Sequence, residues 1–344
     1  MKLERLNNMK TGKIYFTGIR NLIQLCFLIL TLAIGLHIFI FVFQASSEGN
    51  ITVSRPPGVE AFLPIGGLMG WKLFIFEGVW DQTHPAAMVI LGFAILTALL
   101  FRKSFCGWIC PVGTISEWVW KTGELFLGRN FRILRFLDFP LRGIKYLILG
   151  FFLFIILSMP VSEIETFLES PYYKMTDAKM LFFFIRMSMT TLIVLIALLA
   201  ASFIIKNFWC RYLCPYGGLL GLFALISPVK VRRDKDRCIG CGKCAGECPY
   251  SLPVNIKTST SSPECNGCME CVNACPVENT LHMKGLKTVI TPSRLAMILT
   301  LLFFLIVYIA QVTGHWKSNV SEHEFRMRLR SIDIPEYAHP GINR

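Results

Sequence analysis

CIGCGKCAGECP, residues Cys238–Pro249, is followed after a short linker by CNGCMECVNACP, residues Cys265–Pro276. Each stretch is C-x2-C-x2-C-x3-C-P, the bacterial spacing for a pair of [4Fe–4S] clusters. A cubane has four irons, and each takes one thiolate. Three cysteines spaced by two residues wrap one corner of the cube from a single loop. The fourth ligand comes from elsewhere, and in two-cluster proteins it serves the other cluster. This assigns Cys238, Cys241, Cys244 and Cys275 to one cluster, and Cys265, Cys268, Cys271 and Cys248 to the second. Pro249 and Pro276 turn the chain away from helix. Small residues (Gly240, Gly242, Ala245, Gly246, Gly267, Ala274) let backbone N–H groups approach the sulfurs. A zinc ribbon would use four ligands in two C-x2-C pairs. Two complete runs argue against it, and against a disulfide knot.

Around these runs the chain is apolar. It has 344 residues, 53% of them hydrophobic, and a mean hydropathy of +0.53. Crossing a bilayer as helix takes about 20 apolar residues. Spans are expected at Leu22–Phe43, Pro85–Phe101, Ile144–Met159, Met180–Ile205 and Leu295–Val312. Segment Ala61–Trp80 is interrupted by Lys72, Glu77 and glycines, and reads as interfacial or re-entrant.

The net charge of +13 does not mark a nucleic-acid partner, because of how it is distributed. Lys and Arg number five in Met1–Arg20, two in Gln44–His84, eight in Arg102–Lys145, two in Met159–Lys179 and eleven in Lys206–Lys287. That alternation follows the positive-inside rule. It places the N-terminus, the Arg102–Lys145 loop and the cysteine runs in the cytoplasm, and the C-terminal tail outside. The first apolar run reads as a retained anchor, being longer than a signal-peptide core. The expected fold is a mainly α membrane protein of the bacterial inner membrane with about five transmembrane helices. A small α+β bacterial-type 2[4Fe–4S] ferredoxin domain is inserted before the last helix. The expected division is residues 1–229 (four membrane helices), 230–288 (cytoplasmic ferredoxin domain) and 289–344 (fifth helix and outer tail).

The membrane part repeats. KSFCGWICPVG (Lys103–Gly113) and NFWCRYLCPYG (Asn207–Gly217) match at an offset of 104 residues, aligning Cys106 with Cys210 and Cys110 with Cys214. Each ends an outer-to-inner span, so a pseudo-two-fold axis along the membrane normal relates the units, and functional sites favour such interfaces. Helix continuing to Ile109 would put Cys106 and Cys110 on one face, with Cys110 ending it before Pro111. The four thiols are a candidate redox or metal set. Cys26 reads as packing.

At these motifs the chain resembles the NapH/NosR family of membrane polyferredoxins. The two C-x3-C-P-x-G hairpins are the specific part; ferredoxin runs occur in many proteins. The resemblance implies electron transfer between the membrane quinone pool and a partner redox protein, in the manner of a quinol dehydrogenase subunit. The fifth span and the tail SIDIPEYAHPGI depart from the family's nitrate-reductase members. The first outer loop, about 40 residues, holds no large flavin domain of the NosR type. The alternative is a redox sensor, or a metal-reducing or assembly factor for a respiratory metalloenzyme.

Oxidising a quinol needs a base within hydrogen-bond reach. Outer-side candidates are Glu60, Glu77, Asp81, His84, Glu163 and Glu165. Of these, His84 and Glu60, joined by Arg186 inside the fourth span, form the candidate quinol site. His37 reads as a satisfied core histidine. The basic residues Lys230, Arg232, Arg233, Lys235 and Arg237 suit lipid headgroups or an acidic redox partner. No haem-attachment motif, P-loop or dinucleotide fingerprint is present, and no catalytic residue is assigned.

Overall fold

A computed structural model describes residues 18–47, 50–131, 133–285 and 288–337. The basic leader before Gly18 and the end of the C-terminal tail lie outside the described residues. Helix α1 spans Ile19–Ser46. A 3-10 turn (Pro57–Phe62) precedes α2 (Pro64–Glu77) and α3 (Pro85–Phe101), then the short α4 (Ser104–Trp108) and α5 (Pro111–Leu127). Next come α6 (Arg135–Ser158), α7 (Val161–Glu169), α8 (Pro171–Lys174), α9 (Thr176–Ile185) and α10 (Met189–Ile204). A π-helical turn (Trp209–Leu213) leads into α11 (Pro215–Ile226). Proline opens α2, α3, α5, α11 and α14 (Pro292–Val312), where no N–H partner exists and its fixed φ suits the first turn.

Among the described residues, three helices are long and apolar enough to cross a membrane: α1, the Phe136–Ser158 part of α6, and α14. A fourth is α9 with α10, if that pair is one span bent by 79°. The sequence places a continuous span at Met180–Ile205. Instead the chain breaks there: Arg186 ends α9, and the Ser188 hydroxyl accepts the Thr191 N–H to start α10 afresh. α3 covers Pro85–Phe101 but is a shorter apolar helix. The third span starts well before Ile144. Its first turns carry Asp138 and Arg142, paired at 2.6 Å, and Arg211 joins Asp138 at 2.7 Å. Those charges hide the helix from a hydropathy reading. The Ala61–Trp80 segment folds as α2, a helix of 14 residues that lies along α3 and α7. Lys72 Nζ donates to the carbonyls of Ile156, Leu157 and Met159 at 2.9, 3.1 and 2.6 Å, satisfying the C-terminus of α6.

The repeats interlock. The first helix of each packs on the second helix of the other, α3 against α11 and α10 against α5. Gly123 permits the latter approach, since a β-carbon there would overlap the Phe203 carbonyl oxygen.

Between α11 and α14 sits a four-stranded antiparallel sheet in the order β2-β1-β3-β4. Its strands are β1 (Lys230–Arg233), β2 (Ser259–Thr260), β3 (Leu281–Lys284) and β4 (Val289–Ile290). Val231 pairs with Met283 and, with Leu281, faces inward in the alternation of a half-buried sheet. One-turn helices α12 (Lys243–Gly246) and α13 (Glu270–Asn273) lie inside the cysteine runs, and α15 (Glu322–Arg330) follows α14.

Candidate functional site

The two cysteine runs line two separate cavities. Cys238, Cys241, Cys244 and Cys275 line one; Cys248, Cys265, Cys268 and Cys271 line the other. The last cysteine of each run thus crosses to its neighbour's cavity. Gly240 and Gly242 take φ of 70° and 71°, and their counterparts Gly267 and Met269 both take 61°. Alternating left-handed residues fold the loop tightly around its thiols. Among the described residues no three His, Cys, Asp or Glu converge on one ion position. A cubane asks for something else, four thiolates spread around its corners, and each cavity offers that number. The Gly240 N–H and Arg233 hold the Cys238 thiol below its usual range. Burial pushes Cys248, Cys268 and Cys271 up. Buried thiols of that kind become thiolates when a metal replaces the proton.

The hairpin cysteines sit directly beneath. The hairpins do not run on helically to Ile109, because Arg102 and Asn207 take φ of 67° and 52° and restart the chain. Cys110 and Cys214 then stand at the N-caps of α5 and α11. The Cys214 sulfur accepts the Gly217 N–H at 3.3 Å. Burial lifts the Cys110 thiol to about 11, against the N–H groups of Gly113 and Val112. Burial also raises Cys106 and Cys210, and the four thiols lie within electrostatic reach of one another. Each hairpin touches a cysteine run. Trp108 Nε1 donates to the Gly267 carbonyl at 3.1 Å. Lys206 Nζ donates to the Gly246 carbonyl at 3.3 Å, and Cys210 packs among the ferredoxin cysteines.

Buried charge locks the two parts together. Arg20 pairs with Glu117 and, at 2.5 Å, with Glu270. Glu264, next to Cys265, takes Lys145 at 2.5 Å, Lys103 at 3.6 Å and the Tyr146 hydroxyl at 3.1 Å. Burial alone would raise the Glu264 carboxyl; Lys103 and Lys145 outweigh it and hold it at about 2.

At the opposite end of the bundle, Glu60 and His84 do meet, with His84 Nδ1 3.3 Å from Glu60 Oε1. His84 Nε2 lies 2.8 Å from the Tyr173 carbonyl, which only accepts, so Nε2 carries a proton. His84 Nδ1 also lies 3.3 Å from Arg55 Nη2, a donor, so that ring nitrogen faces both a guanidinium and the Glu60 carboxyl. Burial raises Glu60, and its partner His84 is raised as well, Glu60 outweighing burial there. Around them Arg55 pairs with Asp177 at 2.6 Å, Ala86 N–H donates to Glu60 at 2.8 Å, and the Tyr173 hydroxyl donates to Asp81 at 2.8 Å. Glu60, Asp81, His84 and Asp177 are all buried.

Arg186 does not join them. It sits at the break after α9, 60% exposed, and pairs with Asp333 at 3.2 Å. Glu77, Glu163 and Glu165 are exposed. His37 is not a satisfied core histidine: its Nε2 is buried without a hydrogen-bond partner among the described residues. Cys26 is exposed rather than packed. Sequence reading missed Arg55 and Asp177, whose only signal is a sparse charge in an apolar setting, and Tyr173, which carries no such signal.

Comparison with known proteins gives a consistent picture. A family described as "4Fe-4S binding domain" matches residues 83–133 and 187–234, the two hairpins at their repeat offset. A family described as "4Fe-4S dicluster domain" matches residues 230–276. YccM of Escherichia coli (strain K12), named provisionally as an electron transport protein, is 42% identical over 89% of this chain and 88% of its own. The ferredoxin-type protein NapH of Haemophilus influenzae is 24% identical over 67% of this chain and 73% of its own. The regulatory protein NosR of Pseudomonas aeruginosa is 28% identical over 52% of this chain and 24% of its own. No solved structure matches.

Proposed function

The chain belongs to the NapH/NosR-like family of 4Fe-4S polyferredoxins, and on that premise we propose that it passes electrons between the quinone pool and a partner redox protein. The carrying observation is the pair of four-thiol cavities held against the base of an apolar helical bundle by hairpins bearing four more thiols. Bound clusters would supply one-electron redox chemistry at each cavity. Cys238, Cys241, Cys244 and Cys275 would hold one, and Cys248, Cys265, Cys268 and Cys271 the other. Cys106, Cys110, Cys210 and Cys214 are a redox or metal set between bilayer and ferredoxin domain. α3 and the bent α9–α10 pair each count as a crossing, which gives five spans. The ferredoxin domain, residues 230–288, then faces the cytoplasm at the inner membrane.

A quinol gives up two electrons and two protons on becoming a quinone. Two one-electron centres match the electrons, and the Glu60–His84 pair is a proton-holding group at the far end of the bundle. The test is anaerobic titration of the purified protein with a quinol. Bleaching of its visible absorbance to a quinol-dependent plateau is the expected result. Absorbance that dithionite bleaches and no quinol alters would overturn the quinone link.

A further inference from the structure

Glu60 and His84 are sealed, so a ligand ring cannot reach them without opening the bundle. Open space lies beside them. A groove of about 450 Å³ runs between α2, α3 and α14, within the usual range for small-molecule sites. Its walls are apolar and aromatic. Trp71, Phe74 and Trp80 meet edge-to-face at 5.4–5.9 Å. Ile306 and Ile309 of α14 form the other side, and Leu96 marks the inner end. The far end is polar: the Trp80 ring meets the His315 imidazole at 4.9 Å and 77°.

The two indoles differ in one respect. Trp71 Nε1 donates to the Met88 carbonyl at 2.9 Å. Trp80 Nε1 is buried with no hydrogen-bond partner among the described residues. Trp120 Nε1 is likewise unmet, but of these two only the Trp80 ring lines the groove, where a ligand could bring an acceptor. A lipid acyl chain fills an apolar groove and its ester carbonyl can accept, but it offers no flat ring to the aromatic walls. A quinone offers ring oxygens, a flat ring for edge-to-face contacts, and an apolar tail.

We propose that this groove binds a membrane quinone or quinol, with its ring between Trp80 and His315 and its tail running along α3 toward Leu96. The site rests on the quinone-linked reading and locates it. Trp80 Nε1–H donates to one ring oxygen, and His315 faces the ring as a hydrogen-bond partner. The neighbouring Asp81 accepts from the Thr83 N–H at 2.8 Å and from Tyr173, so the sealed network positions Trp80 without touching the ligand.

The test uses the full chain in lipid nanodiscs, prepared without oxygen. A photoreactive short-tailed quinone is crosslinked and mapped, and the affinity of the unmodified short-tailed quinone is measured by equilibrium dialysis. Variants are Trp80→Phe, which keeps a ring and removes the donor, and Gly92→Leu. A β-carbon at Gly92 already lies 3.0 Å from Trp71 Cζ2, so leucine fills the groove. Dithionite-reducible absorbance checks that both variants fold. Labelling of the Trp71–Leu96 or Ile306–His315 segments is expected. Loss of about five- to tenfold in affinity is expected for Trp80→Phe, with a larger loss for Gly92→Leu. Labelling elsewhere, with unchanged affinity in both variants while quinol still bleaches the protein, overturns this site and leaves the quinone link standing. Phospholipid held in the groove with unchanged quinone affinity makes it a lipid seat and also overturns the site. Failure of wild type to bind any quinone or respond to any quinol defeats both.

Discussion

Met269 stands where the first cysteine run has Gly242, and both adopt left-handed backbone. For a residue with a β-carbon that conformation costs about 1–2 kcal/mol. The Met269 side chain is buried in the central core beside Trp108, and losing such a side chain costs about 2–5 kcal/mol. Packing therefore outweighs strain, and Met269→Gly should lower the thermal midpoint despite relieving the backbone. Glu264 shows the same contest in charge. Glu264→Gln leaves Lys145 and Lys103 buried without an anion, which should cost about 3–5 kcal/mol; a denaturation midpoint within error of wild type would contradict this. At the other end, Glu60 and His84 are both raised above their ordinary values, so the folded state binds more protons than the unfolded one. Their stabilisation is full below the unfolded values, about 4.3 for Glu and 6.5 for His, and is lost as pH rises through the folded ones. Thermal midpoints between pH 5.5 and 8.5 should fall more steeply with pH for wild type than for Glu60→Gln.

At the scale of elements, the sequence was most legible where chemistry repeats. The two cysteine runs, the hairpins at offset 104, and α1, α3 and α14 could be read directly from spacing and apolar length. What escaped depends on distant partners. The first turns of α6 look too charged to join a span until Arg211, far along the chain, is seen to meet Asp138. The break between α9 and α10 has no proline or glycine to announce it; Arg186 and the Ser188 cap make it. Nothing local links Arg55 to Asp177, or Trp80 to His315. Interlocked repeats also set a test. Gly123→Val would force its side chain onto the Phe203 carbonyl where α5 meets α10. Overpacking of this kind costs about 1–3 kcal/mol, and the proteolysis rate of the detergent-solubilised protein should rise accordingly.

Over the whole molecule, the two regions of interest lie at opposite ends. α3 has 17 residues, about 25 Å of helix, and it separates the Glu60–His84 network and the Trp80–His315 end of the groove from the hairpin thiols. Electron tunnelling weakens exponentially with distance, so transfer between a ring in the groove and the ferredoxin domain should be slow in the isolated protein. Stopped-flow bleaching by quinol should be much slower than bleaching by dithionite, which reaches the ferredoxin domain from water. Ion pairs from Lys103 and Lys145 to Glu264 and from Arg20 to Glu270 make that domain part of the membrane scaffold rather than a tethered module. Everything above depends on iron at the two cysteine runs. The direct measurement is iron and acid-labile sulfide per chain in protein purified without oxygen, with Cys244→Ser and Cys271→Ser alongside. At least about eight of each is expected for wild type, with each variant losing about four; a colourless wild-type chain holding no iron would contradict it.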